Sequence, residues 1–215
     1  MTSNPLAGPV TVAILAGGQS RRMGSDKARM VVGRDDAVAT PLIAGVARSV
    51  APIAARIVVV GGDADLADVV CDELADVHAD LAVEWIRDQW PEEGPLGGVI
   101  TALERATAVE PDGRLLTVSC DLVGLEHGLL VDLVNESVQG NGDVCVPMVD
   151  GERQWHVAVW SLRSMTALGN AFASGERSIR RGASGLRQIV HISSAASRFC
   201  DLDTPEDVDA HNNAN

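Results

Sequence analysis

Residues 12–27 read VAILAGGQSRRMGSDK. Val12 to Ala16 form a short apolar run with the character of a buried strand. The run passes directly into Gly17 and Gly18, then Arg21, Arg22, Gly24 and Lys27. Glycine lets backbone N–H groups approach an anion with no side chain in the way. Arginine and lysine add charge complementarity and charge-assisted hydrogen bonds. A strand opening into such a loop predicts a phosphate-holding turn, and with it an α/β fold whose ligand sits at a strand end.

Two common phosphate loops do not fit. The dinucleotide fingerprint G-x-G-x-x-G fails over Gly17 to Arg22. The Walker loop fails because Gly24 is followed by Ser25-Asp26-Lys27. The pattern left is L-A-G-G-x-S-x-R-M-G-x-D-K.

Composition narrows the class. The 215 residues suit one α/β domain spanning 1–215, with residues 1–9 and 212–215 expected to be flexible. Apolar residues make up 46% of the chain, Tyr is absent and Phe occurs twice, so Ala, Val, Leu and Gly must fill most of the core. A net charge of −13 argues against nucleic-acid or anionic-membrane partners. Any phosphate site must therefore be locally basic, which Arg21, Arg22, Lys27 and Arg29 provide. Arg177, Arg180 and Arg181 form a second basic group, suited to a solvated helix face or to a second anionic ligand. The four cysteines are widely spaced, without C-x-x-C, which favours reduced thiols in a cytoplasmic protein. No run approaches membrane-spanning length, and the start lacks signal-peptide character.

Along the chain, β-rich runs alternate with helical patterns. Strands are expected at 10–16, Arg56–Val60, 81–87 and 115–119, and helices at 41–50, 63–78 and 95–108. This rhythm predicts a three-layer α/β/α, Rossmann-like domain with a mostly parallel, mixed-edge sheet. The second half is less regular. Strands are expected at 143–148, 155–160 and Gln188–Ile192, and helices at 162–173 and 204–211, the last with Thr204 as N-cap and Pro205 behind it. Segments 34–40 and 173–185 read as mobile loops.

Three further segments carry chemistry, and the first two follow strands, where ligands of such sheets bind. Leu116-Thr117-Val118-Ser119-Cys120-Asp121 is a strand ending in a carboxylate, a hard-oxygen ligand suited to Mg²⁺. Asp88 precedes Gly94-Pro95-Leu96-Gly97-Gly98, where glycines at a helix start can lie against a nucleotide. Asp201-Leu202-Asp203-Thr204-Pro205-Glu206-Asp207 combines carboxylates with a helix cap. His156, within Gln154-Trp155-His156-Val157-Ala158, reads as a packed histidine rather than an acceptor contact. Trp85, Trp90 and Trp160 read as packing residues.

Taken together, these motifs resemble the nucleotidyltransferases that act on sugar-phosphate-like acceptors, and among them the molybdenum cofactor guanylyltransferases. The pairing of L-A-G-G with G-P-L-x-G favours GTP over CTP within that group. The resemblance implies a nucleotidyltransferase fold and transfer of GMP from GTP to the terminal phosphate of molybdenum-bound molybdopterin, with pyrophosphate released. It implies Mg²⁺ as cofactor, held by Asp121 and Asp203. It casts Lys27, Arg21 and Asp121 as catalytic. Nucleotide binding falls to Leu15, Ala16, Gly17, Gly18, Arg22, Gly24, Lys27, Asp88, Gly94, Pro95, Leu96 and Gly97. GTP, the molybdopterin cofactor, and proteins of molybdenum insertion and molybdoenzyme maturation are the implied partners. The chain departs from the family pattern at Ser119 and Val123, where prolines are usual, and at Asp201 and Asp203, where asparagines are usual. Two alternatives stand beside this reading: a transferase of the same fold using CTP or a sugar phosphate, and a non-catalytic GTP or pterin carrier or regulator.

Overall fold

The computed structural model describes residues 8–17, 27–32, 40–192 and 200–201. Its strands are β1 (Val10–Leu15), β2 (Val31–Val32), β3 (Thr40–Pro41), β4 (Arg56–Val60), β5 (Ala82–Ile86) and β6 (Arg114–Ser119). They continue as β7 (Leu122–Val123), β8 (Val144–Val149), β9 (Glu152–Arg153), β10 (Val157–Ser161), β11 (Gln188–Ile192) and β12 (Cys200–Asp201). The helices are α1 (Leu42–Val50), α2 (Leu66–Leu74), α3 (Pro95–Val109), α4 (His127–Gln139), α5 (Met165–Ala173) and the single turn α6 (Ile179–Gly182).

The main sheet runs β11–β8–β10–β6–β1–β4–β5, with β9 paired to β8. β6, β1, β4 and β5 are parallel to one another, and β11 is parallel to β8. β10 alone of the seven runs against both neighbours. Side-chain alternation sorts the core into two layers. Val12, Ile14, Ile57 and Val59 face α1, α2 and α4. Ala13, Val58, Val60 and Leu115 face α3, α5 and α6. Central strands covered on both faces are mostly apolar, which is why Val12–Leu15 reads as an apolar run, with Thr11 buried just before it.

The expected elements of the first half recur with shifted ends. Helix α2 occupies Leu66–Leu74 rather than 63–78. Gly61 and Gly62 hold positive φ before it, and the chain enters through an Asp63 turn in which the Leu66 N–H bonds Asp63 O. Its C-terminal end carries Asp72 and Glu73, which oppose the helix dipole.

Helix α4 was not anticipated. Leu129, Leu130, Leu133 and Val134 form its buried stripe, but Glu126 gives no side-chain cap and Gly128 weakens the first turn, so it has no start signal. Segment 173–185 is likewise folded rather than an open loop, forming α6 and a 3-10 turn over Ala183–Gly185. Ile179, Gly182 and Ala183 are buried there, which ties the segment to the layer under α3 and α5. The expected helix at 204–211 and nearly all of segment 34–40 lie outside the described residues.

Candidate active site

The register of the parallel strands sets the site. Leu15 lies opposite Ser119 on one side and Val60 on the other, and Val60 lies opposite Ile86. The carboxyl ends of β6, β1, β4 and β5 therefore finish on one row. The residues just beyond it, Asp121, Gly17, Gly61 and Asp88, gather at one edge. The reversed β10 begins at this same edge, so Trp155 and His156 are delivered to it. The Ser119 N–H donates to His156 O at 2.9 Å.

Gly17 is held against β4, its N–H donating to Val60 O at 3.2 Å. Gly61 lies across from it at φ 76°, where a Cβ would come within 3.0 Å of the Gly17 Cα. Trp85 fixes that turn by donating its indole N–H to Gly61 O at 2.9 Å. Trp85 is thus more than packing.

Lys27 begins a 3-10 turn, Lys27–Arg29, anchored by the fully buried Ala28. Its Nζ lies 3.2 Å from Asp121 Oδ2, both side chains being largely shielded from solvent. Asp121 follows the end of β6, with the Cys120 N–H donating to Leu15 O at 3.2 Å. Asp121 Oδ1 is buried and accepts no hydrogen bond among the described residues. A buried carboxylate oxygen without a donor is costly, and a hard cation is a natural complement to it. Asp121 alone is a partial ligand set: among the described residues no three His, Cys, Asp or Glu side chains cluster to hold a metal. Mg²⁺ on triphosphate needs only one or two carboxylates, the rest being phosphate oxygens and water, so the single orphaned oxygen fits.

Asp88 follows β5. Its Oδ1 accepts from the Trp90 N–H at 3.0 Å and the Thr101 hydroxyl at 3.4 Å. Its Oδ2 faces Gly17 and Gly98: a methyl group built on either would meet it at 3.5 or 4.0 Å. Gly94, at φ 93°, caps α3 and Pro95 occupies its first position. A Cβ on Gly94 would strike Arg177 at 3.0 Å, and the Leu96 N–H donates to Arg177 O at 3.2 Å.

A cleft runs between these walls. Leu15, Gly17, Asp88, Gly94, Pro95 and Gly98 line one side; Ser119, Trp155, His156, Ser178, Ile179 and Arg180 complete it. Leu96 and Gly97 do not line it. Leu96 is fully buried, and a Cβ on Gly97 would meet Trp90 at 3.1 Å, so both support the cleft from behind. His156 is exposed at the cleft rather than packed.

The second basic group divides. Arg177 pairs with Glu93 at 2.7 Å and lies over the Phe172 ring at 4.0 Å, and Arg181 pairs with Glu176 at 2.7 Å. Arg180 is exposed at the cleft with no ion pair among the described residues. Ser178, Ile179 and Trp155 were missed as cleft residues. Trp155 gave no signal in the sequence, since it reaches the carboxyl edge only because β10 runs against β6 and β8. Gly18, Arg21, Arg22, Gly24 and Asp203 lie outside the described residues.

A mostly parallel sheet with Gly17, Lys27, Asp88 and Asp121 gathered on its carboxyl edge is the arrangement of an α/β protein that binds its ligand at the strand ends. The chain belongs to the family of the MobA-like NTP transferase domain, which matches residues 12–191. It is 31% identical over 201 residues to the molybdenum cofactor guanylyltransferase of Pseudomonas putida strain F1, covering 92% of this chain and 95% of that one. It is 32% identical over 180 residues to a probable molybdenum cofactor guanylyltransferase of Opitutus terrae, covering 83% and 76%. Its fold matches the crystal structure of molybdopterin-guanine dinucleotide biosynthesis protein A from Archaeoglobus fulgidus with TM-score 0.69 and 21% identity, over 95% of this chain and 97% of that one.

Proposed function

We propose that this chain transfers GMP from GTP to the terminal phosphate of molybdenum-bound molybdopterin, releasing pyrophosphate. The observation that carries the reading is the Lys27–Asp121 pair at the carboxyl edge of the sheet, with Asp121 Oδ1 buried and lacking a donor. Relatives of this chain along most of its length bear the guanylyltransferase name.

The chain's own groups divide the work. Gly17 and the turn at Gly61 leave a flat backbone wall for the nucleotide. Asp88 Oδ2 accepts hydrogen bonds, which suits the N1–H and 2-amino donors of guanine. Lys27 stabilises the charge that develops as the acceptor phosphate attacks the α-phosphorus in line and pyrophosphate leaves. A phosphate acceptor is ionised at neutral pH, so no general base is required. Asp121 would hold Mg²⁺, with Asp203 as a second ligand. Mg²⁺ supplies positive charge to the phosphate oxygens. Arg21, Arg22 and Gly24 complete the phosphate loop in this reading.

The test is a thermal-shift series with GTP, CTP, UTP and ATP, each with Mg²⁺. A ligand that binds the folded state raises stability by RT ln(1 + [L]/Kd). GTP should give the largest shift. A larger shift with CTP would overturn the choice of nucleotide. GTP binding with no pyrophosphate release in the presence of acceptor and Mg²⁺ would overturn the assignment as an enzyme.

A further inference from the structure

Thr101 is a buried polar residue on α3, only 3% exposed, in a helix face otherwise packed with apolar side chains. Its hydroxyl does two things at once. It accepts from the Gln89 N–H at 3.3 Å and donates to Asp88 Oδ1 at 3.4 Å. The Trp90 N–H adds a second donor to the same Oδ1 at 3.0 Å. A hydroxyl has one proton and two lone pairs, so both contacts are compatible only with this polarity. With Oδ1 occupied from behind, the Asp88 carboxylate presents Oδ2 alone to the space beside Gly17 and Gly98. Oδ2 has no partner among the described residues.

We propose that Thr101 is a positioning residue for nucleobase selection: it locks Asp88 in the rotamer whose Oδ2 reads hydrogen-bond donors on the base. The proposal rests on the reading of Asp88 as a nucleotide contact. Held by the Trp90 N–H alone, an Asp on a loop end would keep part of its freedom about χ1 and χ2. A hydroxyl planted in the rigid, buried part of α3 removes that freedom before the ligand arrives, so the bond to the base costs less ordering. Thr101 touches no ligand. Its effect is confined to ligands whose edge requires an acceptor. Guanine presents N1–H there, whereas adenine presents a bare N1.

The experiment measures Kd for GTP and for ATP, with equal Mg²⁺, by titration calorimetry on wild type, Thr101→Val, Thr101→Ser and Asp88→Asn. Losing a hydrogen bond to a charged group is expected to cut the GTP-over-ATP affinity ratio by about tenfold in Thr101→Val. Thr101→Ser keeps the hydroxyl and should restore the ratio. Asp88→Asn should abolish it, because the amide NH₂ would face the base once its oxygen takes the Trp90 and Thr101 donors. A purely structural role would lower Tm in Thr101→Val and weaken both nucleotides equally, leaving the ratio at the wild-type value, and that result overturns the proposal. An unchanged ratio in Asp88→Asn overturns instead the reading of Asp88 on which it rests.

Discussion

Gly61 shows how tightly single residues constrain the cleft. It sits at φ 76°, and a Cβ there would reach 3.0 Å from Gly17 Cα and 3.1 Å from Gly17 N. Neither contact is with a flexible side chain. Gly61→Ala should therefore destabilise the fold by about 1–3 kcal/mol through strained backbone. It should also push Gly17 into the cleft and weaken nucleotide affinity. Chemical denaturation and nucleotide titration of the one variant check both effects, and wild-type values in both would show that the two turns are not coupled. At Gly17 the constraint differs: a Cβ would meet Asp88 Oδ2 at 3.5 Å, an ordinary contact, so glycine there keeps space open.

Among the elements, α6 and the turn before it are fastened by Glu176. Its carboxylate accepts from the Arg181 guanidinium at 2.7 Å, the Ser178 N–H at 2.7 Å and the Arg177 N–H at 2.8 Å. The hydrogen bond from Arg181, followed by that from the Ser178 N–H, pulls its pKa from 4.5 down to about 2. Because the folded pKa lies below the unfolded one, this carboxylate contributes stability above pH 4.5. That contribution declines as pH falls and is gone below about 2. The side chain is solvent-accessible, so the effect should be modest. Comparing wild type with Glu176→Gln by denaturation should give a stability gap that is constant between pH 7 and 5 and shrinks on further acidification. A gap that widens with acid would contradict the assignment.

Across the whole molecule, what could be read in advance was what local pattern encodes. The parallel core strands, Gly17, Asp88 and Asp121 all follow from apolar runs ending in chemistry-bearing residues, and the structure brings Gly17, Lys27, Asp88 and Asp121 to one edge. The features not read in advance depend on tertiary context. Helix α4 lacks a start signal and is held by packing of Leu129, Leu130 and Leu133. The fold of segment 173–185 depends on the Arg177 carbonyl receiving the Leu96 N–H and on the Arg177 side chain pairing with Glu93, contacts between residues distant in sequence. The place of His156 depends on the direction of β10, which no periodicity reveals. Among the described residues no helix is long and apolar enough to cross a membrane. The charge of −13 concentrates the importance of Lys27 and Arg180 at the carboxyl edge, for an anionic ligand must be drawn to them against the general field.

The central claim rests on Lys27 and Asp121 acting on a reacting triphosphate. Its most direct test is pyrophosphate release from GTP, with molybdenum-bound molybdopterin and Mg²⁺ present, by wild type and by Lys27→Ala and Asp121→Ala. Release should depend on the acceptor in the wild type and fall by about 10²–10³ in Lys27→Ala, the typical loss when one preorganised cation is removed. Asp121→Ala should fall at least as far, with both variants still folded. Release at the wild-type rate in either variant would contradict the account.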